Sequence, residues 1–436
     1  MDKEQLKQRI SESIDKNRDQ IIEIGEQIFN NPELGYKEVK TSALVKDVFK
    51  NISLPYEENL GITGVKAIGR GKSHDIKVAI MGELDAVVSP QHPNADPVTS
   101  AAHACGHNTQ IATMLGAAMG LTYSNVLQEL DGDVAFMAVP AEEFVELEYR
   151  ERLKEEGKIQ FFGGKQELIS IGAFDDIDMA MMVHSHAGEE ARKAFISCAS
   201  TGFIGKTVRY KGKEAHSGAA PHEGINALNA AMLGLMAIHV QRETFRDEDQ
   251  VKVHPIITKG GDLVNIVPAD VRVETYVRGK TIDAVVNANE KVNRALKAGA
   301  YAVGAEVEIN EIPGYLPLNQ NRAMNKYFAD NIGKFIDIEN VIEGVDLTGS
   351  TDAGDLSAIM PVLHPTTGGF SGNAHSKDFK VVDPEFVYII PAKVMAMTVV
   401  DLLFDGAKAA KEIKANFKPD FTKDSYLKFW DELIKK

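Results

Sequence analysis

The segment Lys77-Val-Ala-Ile-Met-Gly-Glu-Leu-Asp85 starts with apolar residues and ends with two carboxylates. A short apolar run of this kind predicts a buried strand. The pattern recurs at residues 134–143 and 179–186, where apolar runs end in acidic residues or in histidines. Sheets of the α/β class bind ligands at the carboxyl ends of their strands. We therefore predict an α/β sheet with a ligand site along one edge.

Helical patterns flank these strands. Apolar positions recur at helical spacing over residues 3–49, and the Asn-Pro-Glu step at 31–33 predicts a break into two helices. A further helix is expected at about 108–121, and the charged tail at 418–436 is expected to form a surface helix.

A different order of elements runs from about residue 200 to residue 313. It alternates as strand, helix, strand, strand, helix, strand, which is the ferredoxin-like, split βαβ order. Because α/β patterning resumes after Tyr315, we expect an inserted α+β domain. The predicted division is a main domain at 1–198 and 315–436 and an inserted domain at 199–314.

Composition restricts the class of protein. The chain has 436 residues, of which 44% are apolar and 25% are charged, as in soluble globular proteins. Its formal net charge of −15 argues against nucleic acid or an anionic membrane as the main partner. Two cysteines, a charged N-terminus and the lack of an 18-residue apolar run predict a cytoplasmic protein with no secretory signal and no membrane span.

The motif His103-Ala-Cys105-Gly-His107-Asn108 supplies side chains that bind divalent metals. Cys105 and His107 are candidate ligands, although Cys-x-His alone is equally compatible with a structural role. A cysteine nucleophile paired with histidine is an alternative. The acidic pair after the second strand argues against it, because thiol catalysis has no use for these carboxylates.

Two adjacent carboxylates allow one to bind a metal while the other transfers a proton. We assign Glu143 to the metal and Glu142 to the general base, although spacing alone leaves the order open. His184 and His186 face the same side of a regular strand, so that one or both are candidate ligands, with His184 preferred. His375 lies in a glycine-flanked loop that suits a remote ligand.

The inserted domain carries its own candidates. His216 lies in a glycine-rich turn and could polarise a substrate carbonyl. Asn265 follows a Gly-Gly pair, and Arg278 supplies a fixed cation for an oxyanion or a carboxylate. For Arg278 a surface charge at a strand end is the alternative. Cys198 and the five histidines without acidic or cysteine neighbours are expected to be structural or surface residues; the latter are His74, His92, His239, His254 and His364.

Taken together, the motifs are similar to those of the dinuclear metal aminoacylase/carboxypeptidase family. That family includes glutamate carboxypeptidase, aminoacylase, hippurate hydrolase and the indoleacetyl-amino-acid hydrolases. The matching segments are Gly82-Glu-Leu-Asp85, His103 to Asn108, Pro140-Ala-Glu-Glu143, Ala215 to Asn226, and Asn265-Ile-Val-Pro268 with Arg278. Cys105 points to the amidohydrolase subfamily. The pair Glu83 and Asp85, Asn108 and residues 349–355 together resemble the branch with p-aminobenzoyl-glutamate hydrolase and β-alanyl dipeptidases.

The resemblance implies a fold, a cofactor and a set of roles. The fold would be a mixed-sheet metallopeptidase catalytic domain with helices on both faces and an inserted ferredoxin-like dimerisation and lid domain. Two divalent metal ions per subunit are implied, with zinc preferred and manganese, cobalt or nickel as alternatives. The implied ligands are Cys105, His107, Glu143, His184 and His375. Glu142 would be the base, Asp85 would orient a ligand, His216 would reach the partner's site, and Asn265 and Arg278 would bind substrate.

The implied activity is hydrolysis of the amide bond of N-acyl or N-aminoacyl amino acids by metal-activated water. The expected partners are a small-molecule substrate and a second copy of the chain, as a dimer or a tetramer of dimers. A dipeptidase or aminopeptidase with the same site is one alternative, and a non-catalytic binder is another. The chain departs from the family pattern at two places, and both leave the identity of the substrate open. They are a longer loop at 87–102 and a bulky, charged segment at 144–150, where relatives have glycines.

Overall fold

The computed structural model describes residues 1–347 and 349–435. The helices of the described residues are α1 Lys3–Lys16, α2 Arg18–Phe29, α3 Val39–Asn51, α4 His107–Tyr123, α5 Leu147–Glu155, α6 Gly164–Ser170, α7 Ala227–Gln241, α8 Ile282–Val303, α9 Arg322–Ile332, α10 Ala353–Ser357, α11 Ile390–Asn416 and α12 Lys423–Ile434. The strands of the described residues are β1 Tyr56–Leu60, β2 Gly64–Gly69, β3 Lys77–Glu83, β4 Val87–Val88, β5 Ala101–Ala102, β6 Asp133–Val139, β7 Met179–Met181, β8 His184–Ser185, β9 Ala194–Ile196, β10 Gly202–Lys211, β11 Lys252–Lys259, β12 Asp270–Gly279, β13 Glu306–Pro313, β14 Val341–Glu343, β15 Val362–Leu363, β16 Thr366–Thr367, β17 Phe370–Ser371 and β18 Lys380–Val381.

The first compact unit comprises Met1–Ala199, Asn319–Asp346 and Asp355–Lys423. Its main sheet has the strand order β1-β2-β6-β3-β7-β15. The pairs β1–β2 and β2–β6 are antiparallel, while β6–β3, β3–β7 and β7–β15 are parallel. The sheet is therefore mixed, and the predicted fold class of the main domain is confirmed.

The core of the first unit is built around α4 and α11. α4 is buried on every side from His107 to Leu121, which agrees with its nearly continuous apolar sequence. It packs against β3 and α11. The helical stretch at 385–416 is long and apolar enough to cross a membrane, but its apolar window is completely buried inside the protein. It therefore serves here as a core helix.

The second compact unit comprises Ser200–Leu318, Leu347–Gly354 and Asp424–Lys436. Its antiparallel sheet has the order β11-β12-β10-β13, and α7 and α8 pack together and contact this sheet. The order of the elements along the chain and the order of the strands in the sheet are both those of a ferredoxin-like fold, as predicted. The segments at 347–354 and 424–436 group with this unit, whereas the sequence division assigns them to the main domain.

The N-terminal region differs from the prediction in its number of helices. A break at Asn17 divides the first predicted helix, so that α1, α2 and α3 stand where two helices were expected. Asn17 leaves the helical conformation at φ −105° and ψ 9°, and its side-chain amide donates to the carbonyl of Ser13 at 2.8 Å. An asparagine that bonds its own backbone competes with helix continuation, although the apolar spacing continues through it.

Candidate metal centre

Adjacent strands bring the candidate ligands to one edge of the main sheet. β6, β3 and β7 lie side by side and run parallel. Glu83 ends β3, Glu142 and Glu143 follow β6, and His184 follows β7. Because neighbouring parallel strands end at the same edge of the sheet, these side chains lie close together.

A glycine turn allows Cys105 and His107 to face one space. Gly106 has φ 85°, and a Cβ atom at this position would lie 2.8 Å from the Cβ of Ser185. Cys105 precedes the turn, and His107 opens α4 after it. The ligand atoms of Cys105, His107 and His184 lie within 4.8 Å of one another, and the Cys105 Sγ is 3.6 Å from the His184 Nε2.

Cys105 also belongs to a second group of three. Its ligand atom and those of Glu143 and His375 lie within 4.8 Å of one another. The His375 Nε2 is 3.2 Å from the Glu143 Oε1. The loop holds His375 at φ 61°, with its backbone amide donating to the carbonyl of Ala104 at 2.7 Å. The five predicted ligands thus form two groups that share one sulfur.

The donor set fits two divalent ions. Thiolate, imidazole and carboxylate are the ligands that zinc and its neighbours prefer. The His107 Nε2 and the Glu143 Oε1 are buried and accept or donate no hydrogen bond of normal geometry within the described part of the chain. Burial opposes ionisation of Cys105, but the imidazoles of His184 and His107 hold the pKa of this thiol well below its ordinary value. A thiolate shared by two ions suits this arrangement.

Asp85 contacts two of the predicted ligands. Its backbone carbonyl accepts a hydrogen bond from the His107 Nδ1 at 2.9 Å, which leaves the His107 Nε2 to carry the lone pair. Its carboxylate accepts from the backbone amide of Glu143 at 2.9 Å. Such contacts fix ligand orientation in metal sites.

The two acidic neighbours occupy different surroundings. Glu143 groups with Cys105 and His375, while Glu142 groups with Glu83 and His107. The Glu142 Oε2 lies 3.9 Å from the His107 Nε2. Both acids thus belong to candidate ligand groups, and the assignment of Glu143 to the metal and Glu142 to the base stays a prediction.

A buried carboxylate and a buried guanidinium hold the turn before the acidic pair. Ala141 has the left-handed φ of 52°, and its amide donates to the Glu38 carboxylate at 2.8 Å. Burial, followed by the charge of Asp85, raises the pKa of Glu38 to about 7. Arg150 is fully buried and donates to the backbone carbonyl of Glu143. Sequence reasoning missed both Glu38 and Arg150, because neither lies in a ligand-like motif.

The longer loop noted in the sequence contacts the backbone that carries His375. β4 and β5 form its base, and the loop occupies the residues between them. The Ser89 hydroxyl donates to the carbonyl of His375 at 3.4 Å. The His92 Nε2 donates to the carbonyl of Phe379 at 2.9 Å, and its Nδ1 accepts from the amide of Asn94 at 3.1 Å. The interpretation of His92 as a structural histidine agrees with these contacts.

Two other histidines, His186 and His364, lie outside the two ligand groups. The His186 ring stacks on Phe195 at 3.7 Å and its Nδ1 contacts the Thr366 hydroxyl at 2.9 Å, so it points elsewhere than His184. His364 is buried and stacks on the His184 ring at 5.7 Å, with both ring nitrogens outside any hydrogen bond of the described residues. Burial, followed by the charge of His184, lowers the pKa of His364 to about 3.

In the second unit, His216 lies in an exposed turn with a defined tautomer. Its Nδ1 accepts from the backbone amides of Gly218 at 3.2 Å and Ala219 at 3.0 Å. The proton of a neutral ring must then be on Nε2, which makes this nitrogen a hydrogen-bond donor. Asn265 is also exposed, and its carbonyl accepts from the amide of Ser217 at 2.9 Å.

Arg278 is half-buried in the second unit and has a fixed orientation. Its Nη1 donates to the Ser350 hydroxyl at 2.6 Å. Its guanidinium carbon lies 5.1 Å from the centre of the Phe203 ring and 5.6 Å from that of Tyr276. These contacts argue against a freely solvated surface charge, which was the alternative considered for Arg278.

The chain is similar in sequence to known peptidases and amidohydrolases. A family model described as a peptidase dimerisation domain, M20_dimer, matches residues 198–303. The chain is 27% identical to the Xaa-Arg dipeptidase of Mus musculus, over 93% of this chain and 90% of the relative. It is 26% identical to the IAA-amino acid hydrolase ILR1-like 4 of Arabidopsis thaliana, over 77% of this chain and 73% of the relative.

A solved structure from Bacillus subtilis, described as a dinuclear metal-binding peptidase of the M20 family, shares the fold. It has a TM-score of 0.64 and 19% identity, and the match covers 88% of this chain and 98% of that structure. Three findings agree with the family resemblance of the sequence motifs. They are the matched dimerisation domain, the relatives that align over most of the chain, and the shared fold. The chain is thus a homologue of peptidases and amidohydrolases over most of its length, and its residues 198–303 match the M20 peptidase dimerisation domain.

Proposed function

We propose that the protein hydrolyses the amide bond between an acyl or aminoacyl group and an amino acid. The observation that carries the proposal is the pair of ligand groups sharing Cys105, with the Glu142 carboxylate beside them. This is the arrangement that a two-metal amide hydrolase requires. Cys105, His107 and His184 would hold one ion, and Cys105, Glu143 and His375 the other, with zinc preferred over manganese, cobalt or nickel because of the thiolate.

The bound ions would supply an acidified water and a polarised carbonyl. Glu142 takes the proton from the attacking water at its carboxylate and later returns it to the nitrogen of the leaving amine. Asp85 keeps His107 in the tautomer whose Nε2 carries a lone pair. Burial of Glu142 and Glu143 excludes bulk water from the acidic pair.

The second unit would supply substrate contacts. The Nε2 of His216 is a donor, which suits the oxygen of a carbonyl that gains negative charge during attack. Arg278 and Asn265 would bind the carboxylate and a polar group of the amino-acid part. In this proposal His216 serves the centre of a partner subunit, because the domain that carries it would form the dimer.

The surface of the second unit supports a homodimer. Exposed apolar side chains of α7 lie along one helix face: Met232, Leu233, Met236 and Val240. The edge strand β11 pairs only with β12 among the described residues and exposes Ile256 and Ile257. An exposed apolar helix face and an edge strand with one free side are each an aggregation hazard unless another chain covers them. We propose that a second copy does so, in an isologous dimer or a tetramer of such dimers.

Dipeptide hydrolysis is the second candidate, since the relative matched over 93% of this chain is named an Xaa-Arg dipeptidase. A non-catalytic binder is disfavoured because it would not need Glu142 beside the ligand Glu143. The acidic composition and the burial of the apolar window in the helical stretch at 385–416 support a cytoplasmic enzyme acting on small molecules.

The test is amine release from a panel of N-acyl amino acids and dipeptides. The protein is stripped of metal and reloaded separately with zinc, manganese and cobalt. Hydrolysis restored by metal supports the proposal, and the active panel members identify the substrate class. Stoichiometric metal binding without hydrolysis of any panel member would contradict it and favour the binder.

A further inference from the structure

Glu83 is a buried carboxylate at the candidate centre that none of the assigned roles uses. It is fully buried at the end of β3. The Lys165 Nζ donates to its Oε1 at 2.5 Å, and the Gln110 Nε2 donates to its Oε2 at 2.7 Å. Gln110 also accepts from the backbone amide of Glu83 at 3.3 Å. The carboxylate is thus fixed in one orientation by two buried side chains.

The fixed Oε2 of Glu83 faces the predicted ligand atom of His107. The two atoms, the Glu83 Oε2 and the His107 Nε2, are 3.0 Å apart. Yet the His107 Nε2 makes no hydrogen bond of normal geometry with any described residue. The proton of a neutral His107 ring is on Nδ1, which donates to the carbonyl of Asp85. Both atoms then offer a lone pair, and a proton or a metal ion between them makes the contact favourable. The lack of a hydrogen bond of normal geometry at the His107 Nε2 favours the metal ion over the proton.

The distance agrees with two donors of one coordination sphere. Ligands at about 2.1 Å from a metal ion and at tetrahedral or octahedral angles lie about 3.0 to 3.4 Å apart. The ligand atoms of Glu83, His107 and Glu142 also lie within 4.8 Å of one another. We propose that Glu83 is a further ligand of the ion that His107 binds. Lys165 and Gln110 act as positioning residues for its carboxylate.

This inference rests on the proposed two-metal centre and adds a sixth protein ligand to it. Glu83 would add a carboxylate oxygen to the donors of the ion at His107, and carboxylate oxygen is an ordinary zinc ligand. The ion at Glu143 and His375 would keep three protein ligands and an open position. The competing explanation is that Glu83 and Lys165 form a buried ion pair with a purely structural role.

Removing both charges separates the two explanations. Loss of one partner from a buried ion pair is strongly destabilising, whereas loss of both is often neutral. The variants are therefore Glu83→Gln, Lys165→Met and the double variant. The matched control is the pair Lys206→Met with Glu311→Gln, whose wild-type ion pair is also buried, at 2.8 Å, in the second unit.

Three readouts are needed: zinc affinity by competition with a chromophoric chelator, the visible spectrum of the cobalt-loaded protein, and the Tm of the metal-free protein. We expect the double variant to recover most of the Tm lost in Glu83→Gln. Its affinity for one of the two zinc ions should stay at least about 10-fold weaker than in the wild type, with a changed cobalt spectrum. The control pair should bind two zinc ions with wild-type affinity.

A double variant that binds both zinc ions with wild-type affinity would overturn the inference and leave the structural ion pair. That result would not affect the proposed function if the wild type hydrolyses amides. Conversely, a wild type that binds two zinc ions but hydrolyses no amide would remove the function, while weakened zinc binding in the double variant would still establish Glu83 as a ligand. A wild type that binds no metal would overturn both.

Discussion

The candidate ligands of the first unit and the substrate-binding candidates of the second are held in opposite ways. Glu142 and Glu143 are buried, and the turn that carries them is bonded by other buried side chains. His216 and Asn265 lie in exposed turns held mainly by local backbone hydrogen bonds. A buried cluster can be complete within one chain, whereas exposed donors need another surface to close over them. Substitutions at the buried cluster of the first unit should therefore lower kcat strongly. Substitutions at the candidates of the second unit should mainly weaken substrate binding.

The largest effect is expected for Glu142→Gln. Loss of the proton acceptor should lower kcat by about 100- to 10,000-fold, the contribution typical of a general base. Two bound metal ions should remain, because the proposed ligand Glu143 is unchanged. Steady-state kinetics and metal analysis measure both. Glu148→Gln, at an exposed position of α5, is the control and should be neutral; a Glu142→Gln enzyme with wild-type kcat would remove the base assignment.

A smaller effect, on substrate binding, is expected for Arg278→Lys. Lysine cannot bond Ser350 and a substrate carboxylate at once with the geometry of a guanidinium. KM should rise by about 10- to 100-fold, equal to about 1.4 to 2.7 kcal/mol, with a smaller change in kcat. The control is Arg272→Lys, at an exposed position of the same strand. An unchanged KM would mean that Arg278 only stabilises its own unit.

The smallest effect is expected for His92→Phe in the loop beside His375. Phenylalanine can keep the edge-to-face contact with Phe29 but loses the hydrogen bonds to Phe379 and Asn94. The affinity for one metal ion should fall by about 10-fold, as is typical when a residue that orients a metal ligand without touching the metal is replaced. Chelator competition measures it, with His74→Phe as the control because His74 contacts Asp133 instead. Equal affinities in both variants would show that the loop does not position His375.

The sequence predicted the elements whose signal is local and periodic. The order of strands and helices in the ferredoxin-like unit was expected and found. The break at Asn17 was not, because the helical spacing of apolar residues continues across it.

At the candidate site, motifs predicted the residues that the structure brings together, but not the residues that hold them. Glu38, Arg150 and Lys165 contact the centre from segments whose local sequence resembles any charged helix or loop. Burial of these charges depends on tertiary packing over long sequence separations. The only local hint was the replacement of a glycine run by residues 144–150, which is where Arg150 lies.

The most direct test of the account is activity of a mixed dimer. One chain carries Glu142→Ala and the other carries His216→Ala, each with a different affinity tag, and the heterodimer is purified through both tags. If the buried centre of one subunit needs the exposed histidine of its partner, one of the two sites is intact, and activity should return to about half of the wild-type value per dimer. A stable heterodimer that is no more active than either parent would contradict the account.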